Sequence, residues 1–310
     1  MKTVFMGTPD FATETLKALY ESGHEIALVV TQPDKPVGRS KELVAPPVKQ
    51  EAQKLGLKVA QPKKISNPDF TKQIKDINPD VIVVVAYGQI LKKEFLDIPR
   101  YGCVNVHASL LPLYRGAAPI QWAVINGDEY SGVTTMLMGE GVDTGDILLS
   151  EKVKLNPKET GGSLFERLST VGAKLLIETL SGLEEGSITP VPQDESRATH
   201  VGMLSKKMGL IDFNEPAEVI ERLIRGLDPW PGAYTFIDGK KLTVWDADVF
   251  EKNLTKDDVG VIISAEKDGL CVQCKDSILK INELQLEGKK RMSAGDFLNG
   301  KKLAPGDKLG

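Results

Sequence analysis

Cysteine is scarce in this 310-residue chain, occurring only as Cys103, Cys271 and Cys274. That is too few, and an odd number, for the disulfide framework of a small secreted protein. Cys271 and Cys274 form a C-x-x-C, but no second pair completes a zinc site and the flanking residues read as strand, so structural cysteines are expected. Histidine also occurs three times, at 24, 107 and 200, too widely spaced to suggest a metal centre, and no metal is expected. No apolar run approaches the ~18–20 residues of a membrane helix, so no membrane partner is expected. "MKTVFMGTPDF" is broken by Gly, Pro and Asp and is not expected to be a secretory leader. The "GTPD" turn after the first strand offers helix amides to an anion. With neither G-x-G-x-x-G nor G-x-x-x-x-G-K-[ST] present, no dinucleotide or nucleoside triphosphate site is expected. A G-x-S-x-G elbow is missing as well, which argues against Ser109 as a nucleophile.

What is present is ordinary for a soluble globular protein: 41% hydrophobic and 26% charged residues, in a chain of about two domains at ~100–200 residues per domain. A cytoplasmic enzyme is the natural expectation. The formal charge of −4 excludes coating of nucleic acid by the overall field, so a polyanionic partner would have to be met by local basic patches.

The first half alternates strand and helix patterns. "KTVFM", "EIALVVT", "PDVIVVVAYG" and "GCVNVH" read as strands, with helices at "FATETLKALYESG", "VKQEAQKLG" and "APIQWAVING". "SGVTTMLM" and "GDILLSEKV" follow as strands before the helix "TGGSLFERLSTVGAKLLIETLSG". The pattern predicts an α/β fold with a Rossmann-like, doubly wound, mostly parallel sheet. "QPDKPVGRSKELVAPP" reads as a long loop. "SITPVPQDESRATH" has two prolines and no periodicity and reads as a linker. After a helix at "NEPAEVIERLIRGL", short strands separated by Gly and Asp turns, including a "DG" hairpin, predict a smaller C-terminal OB-like β-barrel domain. The expected boundaries are 1–188 for the catalytic domain, 189–205 for the linker and 206–310 for the second domain.

"NVHASLLPLYRGAAPIQW" places Asn105 and His107 two residues apart on a strand, so both side chains project to one face. They sit at the carboxyl end of a strand, where open α/β sheets bind ligands. An amide and an imidazole aimed at one point suit an oxygen that gains negative charge during acyl transfer. An isolated Asn-x-His is more often a satisfied interior histidine beside a polar loop residue. "GEGVDTGDIL" adds Asp143 in a glycine-rich loop after a strand, from which a carboxylate would orient the imidazole; clusters of this type are also commonly plain turns.

Those residues together resemble the folate-dependent formyltransferases, whose signature is an Asn-x-His, an S-L-L-P loop and a later Asp. "MGTPDFA", "TQPDKPVGR", "VVVAYGQIL", "RGAAPIQ" and "PWPGAY" resemble the branch acting on aminoacylated tRNA, and the likeness spans essentially the whole chain. Ala108 stands where Gly often follows the His, and Trp122 where bacterial relatives can carry Arg. The resemblance implies a formyl group passed from 10-formyltetrahydrofolate to the amino group of methionyl initiator tRNA, for translation initiation, by an enzyme that is usually monomeric. It implies Asn105, His107 and Asp143 as the catalytic set, and Ser109, Leu110, Leu111 and Pro112 as the folate-binding loop. It also implies tRNA contacts from Lys35, Arg39 and Lys41, the basic residues of the "QPDKPVGRSKEL" loop. Lys206 and Lys207 at the end of the linker are further candidates, as are the pairs and triplet Lys240-Lys241, Lys289-Lys290-Arg291 and Lys301-Lys302. Taken singly, each basic run reads equally as solvated surface.

Overall fold

The computed structural model describes residues 1–37, 42–250 and 258–310. Arg39 and Lys41 lie outside the described residues. The chain divides into two compact units: 1–119 with 130–154 and 165–201, and 120–129 with 155–164 and 202–310.

The first unit is built on seven strands: β1 (Lys2–Gly7), β2 (Glu25–Val30), β3 (Val59–Ala60), β4 (Val81–Val85), β5 (Cys103–His107), β6 (Tyr130–Leu137) and β7 (Ile147–Lys154). Their spatial order is β7-β6-β5-β4-β1-β2-β3. The β1, β2, β3, β4 and β5 ladders are parallel, and β6 and β7 join antiparallel. The chain runs outward from β1 to β3, then restarts on the other side of β1 with β4 and β5. Such a reversal opens a crevice at the carboxyl ends of the strands. The β-branched run Val81–Val85 is buried at every residue, as a strand covered on both faces must be. Helix Gly161–Glu185 lies close enough that a Cβ on Gly172 would sit 3.0 Å from the Val106 side chain, and its Thr179 hydroxyl bonds Thr135 of β6 at 2.7 Å.

The second unit carries an antiparallel sheet of β8 (Ala233–Ile237), β9 (Lys240–Phe250), β10 (Ile262–Glu266), β11 (Gly269–Gln273), β12 (Ile278–Leu286) and β13 (Met292–Ser293). The order is β8-β9-β12-β11-β10, with β13 on β12. The "DG" signal between β8 and β9 is a tight turn, with Asp238 at φ 48° and Gly239 at φ 72°, the positive pair that a right-twisted hairpin favours. Leu242, Val244, Val272, Leu279 and Ile281 from the sheet share a core with Ile220 and Ile224 of helix Ala217–Gly226. The three cysteines are free and buried, and among the described residues no helix is long and apolar enough to cross a membrane.

Two segments differ from expectation. The loop beginning at Gln32 contains a small antiparallel hairpin, Lys35–Val37 with Glu42–Val44. Its second strand is exposed at all three residues, so no buried face leaves an apolar alternation to read. The expected linker 189–205 is divided: 189–201 belong with the first unit and 202–205 with the second. Val191 exchanges backbone hydrogen bonds with Ile147 at 2.8 and 2.9 Å, and His200–Val201 form a short parallel ladder with Arg115–Gly116.

Candidate active site

Asn105 and His107 stand at the carboxyl end of β5, where parallel pairing with β4 reaches Val84↔Asn105 and antiparallel pairing with β6 reaches His107↔Thr134. Both are buried. The Asp143 carboxylate meets the pair: Asn105 Nδ2 lies 3.5 Å from Oδ1, and His107 Nδ1 lies 3.7 Å from Oδ2. The other ring nitrogen, Nε2, is 3.0 Å from the carbonyl oxygen of Tyr114. Nε2 is therefore hydrogen-bonded, while 3.7 Å is too long for a hydrogen bond between Nδ1 and the carboxylate.

Asp143 occupies a glycine-rich loop at φ 53°, a left-handed conformation that Asp tolerates better than most side chains. Its Oδ2 accepts the backbone N–H of Gly116 at 2.8 Å. Gly116 is at φ 101°, and a Cβ there would sit 2.5 Å from the Val201 carbonyl oxygen. Only glycine brings that amide so close to the 200–201 backbone.

The loop after β5 is pinned from within. Thr134 of β6 donates its hydroxyl to the Ser109 carbonyl at 2.7 Å and accepts the Leu111 N–H at 3.1 Å. Ser109 donates its hydroxyl to the Leu113 carbonyl at 2.6 Å, and the Pro112 carbonyl accepts the Thr199 N–H at 3.2 Å. Leu111 and Pro112 are buried, while Leu110 is half-buried. An apolar wall of fixed shape suits the flat ring of a bound heterocycle.

Arg115, Gln193 and Glu195 were not singled out by sequence reasoning. Arg115 is 1% exposed. It donates to Gln193 Oε1 from Nε at 3.0 Å and Nη2 at 2.8 Å, and to the Glu195 carboxylate at 2.9 and 2.7 Å. The guanidinium holds the Glu195 carboxyl below its ordinary range. A lone Arg within the apolar run "SLLPLYRGAAP" was the available signal, since a guanidinium carried into an apolar loop needs acceptors from somewhere in the chain.

The sequence-expected basic residues fall in different places. Lys35 is exposed on the small hairpin. Lys206 and Lys207 are exposed on a single 3-10 turn, Lys206–Gly209, in the second unit. A groove of about 540 Å³ lined by Leu149, Ile177, Gly182 and Ile188 shares no residue with the Asn105 cluster. The chemistry of the cluster, not concavity elsewhere, makes it the candidate site.

Comparison with known proteins finds relatives along the whole chain. Residues 1–180 match the formyl transferase family and residues 203–302 the formyl transferase C-terminal domain. A methionyl-tRNA formyltransferase of Lachnospira eligens is 59% identical over 314 residues, covering 100% of both chains. Among solved structures, an N-formyltransferase from Helicobacter canadensis, in complex with folinic acid and dTDP-3-aminofucose, superposes with a TM-score of 0.68. It is 15% identical, over 94% of this chain and 100% of that one. HypX from Aquifex aeolicus, in complex with tetrahydrofolic acid, gives a TM-score of 0.64 at 17% identity, over 100% of this chain and 50% of that one. At those identities the two structures speak to fold alone.

Proposed function

The chain belongs to the formyl transferase family, and on that basis we propose that it moves the formyl group of 10-formyltetrahydrofolate to the α-amino group of methionine esterified to initiator tRNA. The observation that carries this reading is the meeting of Asn105 and His107 on one carboxylate, at 3.5 and 3.7 Å.

An α-amino group titrates near 7.7–8.0, and lower when its carboxyl is esterified, so a useful fraction is a neutral nucleophile at neutral pH. No enzyme nucleophile is required. Attack on the formyl carbon places negative charge on its oxygen, and donors already in position cost no reorganisation at that moment. Asn105 Nδ2 carries two N–H groups, of which Asp143 engages one; the second is the donor we assign to the oxyanion, together with the Nδ1–H of His107, which stands 3.7 Å from the carboxylate, beyond hydrogen-bond range. Asp143 orients the ring, balances its charge and accepts the proton that the attacking amine must lose, before it reaches the departing folate nitrogen. Ser109, Leu110, Leu111 and Pro112 are assigned to the folate ring.

Lys35, Arg39, Lys41, Lys206 and Lys207 are assigned to tRNA phosphates. Local charge of this kind predicts a salt-dependent KM for tRNA, with the slope of log affinity against log salt falling by roughly 0.7–0.9 per contact removed. The decisive experiment mixes the purified protein with formylfolate and charged initiator tRNA and asks which molecule carries the formyl group. Formyl on the methionyl amine is expected. Transfer to an amino sugar instead, or release as formate, overturns the assignment.

A further inference from the structure

We propose that Gln193 is a positioning residue for the reaction, a brace that sets the backbone of Asp143 and thereby the direction of its carboxylate. The inference rests on the reading that Asp143 acts in catalysis. It starts from the hydrogen-bonding capacity of one amide.

Gln193 Oε1 accepts twice, from Arg115 Nε at 3.0 Å and Nη2 at 2.8 Å. Its Nε2 donates twice, to the carbonyl oxygens of Asp143 at 2.9 Å and Gly145 at 2.7 Å. Two acceptor sites and two donors are all that a primary amide has, so each is used on the two sides of one group. The orientation is also forced. A guanidinium only donates and a carbonyl only accepts, so rotating the amide by half a turn would replace four good contacts with four repulsive ones.

The location of these contacts gives the brace its function. Asp143 is held at φ 53°, a backbone conformation that persists only where its surroundings over-determine it. Gln193 grips the carbonyl on one side of that residue, while the Gly116 N–H grips the carboxylate on the other at 2.8 Å. Both grips trace to one strand pair. Arg115 N–H donates to the Thr199 carbonyl at 2.8 Å and Ala117 N–H to the Val201 carbonyl at 3.1 Å, fixing Gly116. The guanidinium of the same Arg115, itself anchored by Glu195 at 2.7 and 2.9 Å, fixes Gln193. The loop carrying Asp143 is thus clamped from its main chain and its side chain by residues 115–117 and 193–201.

The test is Gln193→Glu in the full-length protein. The substitution keeps an acceptor for Arg115 but turns a carboxylate oxygen toward two carbonyls, so the loop loses its donors and meets repulsion. Misplacing a catalytic group by about an ångström lowers turnover on the order of 100-fold. We expect kcat to fall roughly 10- to 100-fold, with the KM values for formyl donor and tRNA within about twofold of the parent, at a temperature well below the variant's own melting point. A purely structural role predicts instead a lowered melting temperature with kcat unchanged in the folded protein, and that result overturns the proposal. If Gln193→Glu fails to fold, Gln193→Met, which leaves the guanidinium to Glu195 and brings no charge against the carbonyls, is judged by the same kcat and KM criteria. Asp143→Ala, assayed beside them, separates the two levels of inference. Full activity there removes the catalytic reading itself. Loss there with parental kcat in the Gln193 variant that folds removes only the brace.

Discussion

Two charged clusters in this molecule are built from similar parts and end in different places. In the first unit, Arg115 reaches Gln193 and Glu195, and the network terminates on a carboxylate-bearing residue in a left-handed conformation. In the second, Lys158 bonds Glu221, Asp248 and the carbonyl of Ala247, while Arg225 bonds Glu221 and the carbonyl of Glu159. There the carbonyls that are held, of Ala247 and Glu159, belong to residues with no part in the proposed chemistry. The Arg115 side chain is 2% exposed against 54% for Lys158, so an unmet donor on Arg115 is costly, whereas water can substitute at Lys158. Charge count does not distinguish a site from a staple; what the hydrogen bonds finally hold does.

That contrast can be broken most decisively at the carboxylate. Asp143→Ala, and His107→Ala beside it, are expected to lower kcat by at least ~10²–10³-fold with the melting transition retained. More than about a tenth of parental activity in either would remove the distinction drawn between the clusters. A second test alters backbone alone. Gly116→Ala places a methyl 2.5 Å from the Val201 carbonyl oxygen at φ 101°, with an expected cost of about 1–3 kcal/mol. Denaturant titration should show the stability loss, and the kinetics should show lower kcat, because the amide on Asp143 moves with it.

The smallest effect belongs to the second cluster. Lys158→Ala should leave kcat unchanged and cost about 0–1 kcal/mol, the worth of a half-exposed ion pair. Its pH dependence has a definite sign. The Lys158 ammonium, followed by Asn282, holds the Asp248 carboxyl below its usual 3.8. The associated stability is fully present above that unfolded value and is lost as pH falls through the lower folded one. The gap in melting temperature between parent and Lys158→Ala should therefore be open at pH 6 and close in acid below about pH 4. A gap that widened in acid would reverse the assignment of cause.

The sheet could be read from the chain because its determinants are local. Val81–Val85 is a β-branched run bounded by turn residues, and it forms a wholly buried strand. The same applies to "CVNVH", whose alternation sets Asn105 and His107 on one side without knowledge of any neighbour. Asp143 announced itself only through its glycines, and Gly145 shows why they are there: a Cβ on it would lie 1.6 Å from the Leu137 carbonyl oxygen. Gln193 and Glu195 could not be read in this way. They sit in a polar, proline-bearing stretch that packs through side-chain hydrogen bonds to carbonyls and a guanidinium distant in sequence. Such bonds have no period and leave no trace in hydropathy. The short strand Glu42–Val44 leaves no trace for a related reason, since a strand exposed at every residue imposes no alternation.

The division of 189–205 has a practical outcome for recombining relatives. A chimera joined at residue 188 would inherit the residues proposed for chemistry from one parent and their scaffolding from the other. If the incoming piece lacked a glutamine at 193, or a backbone shaped to meet Arg115–Gly116 at 200–201, the hybrid would fold with its Asp143 turn unsupported. Moving the splice to 202 keeps both halves of that handshake from a single ancestor.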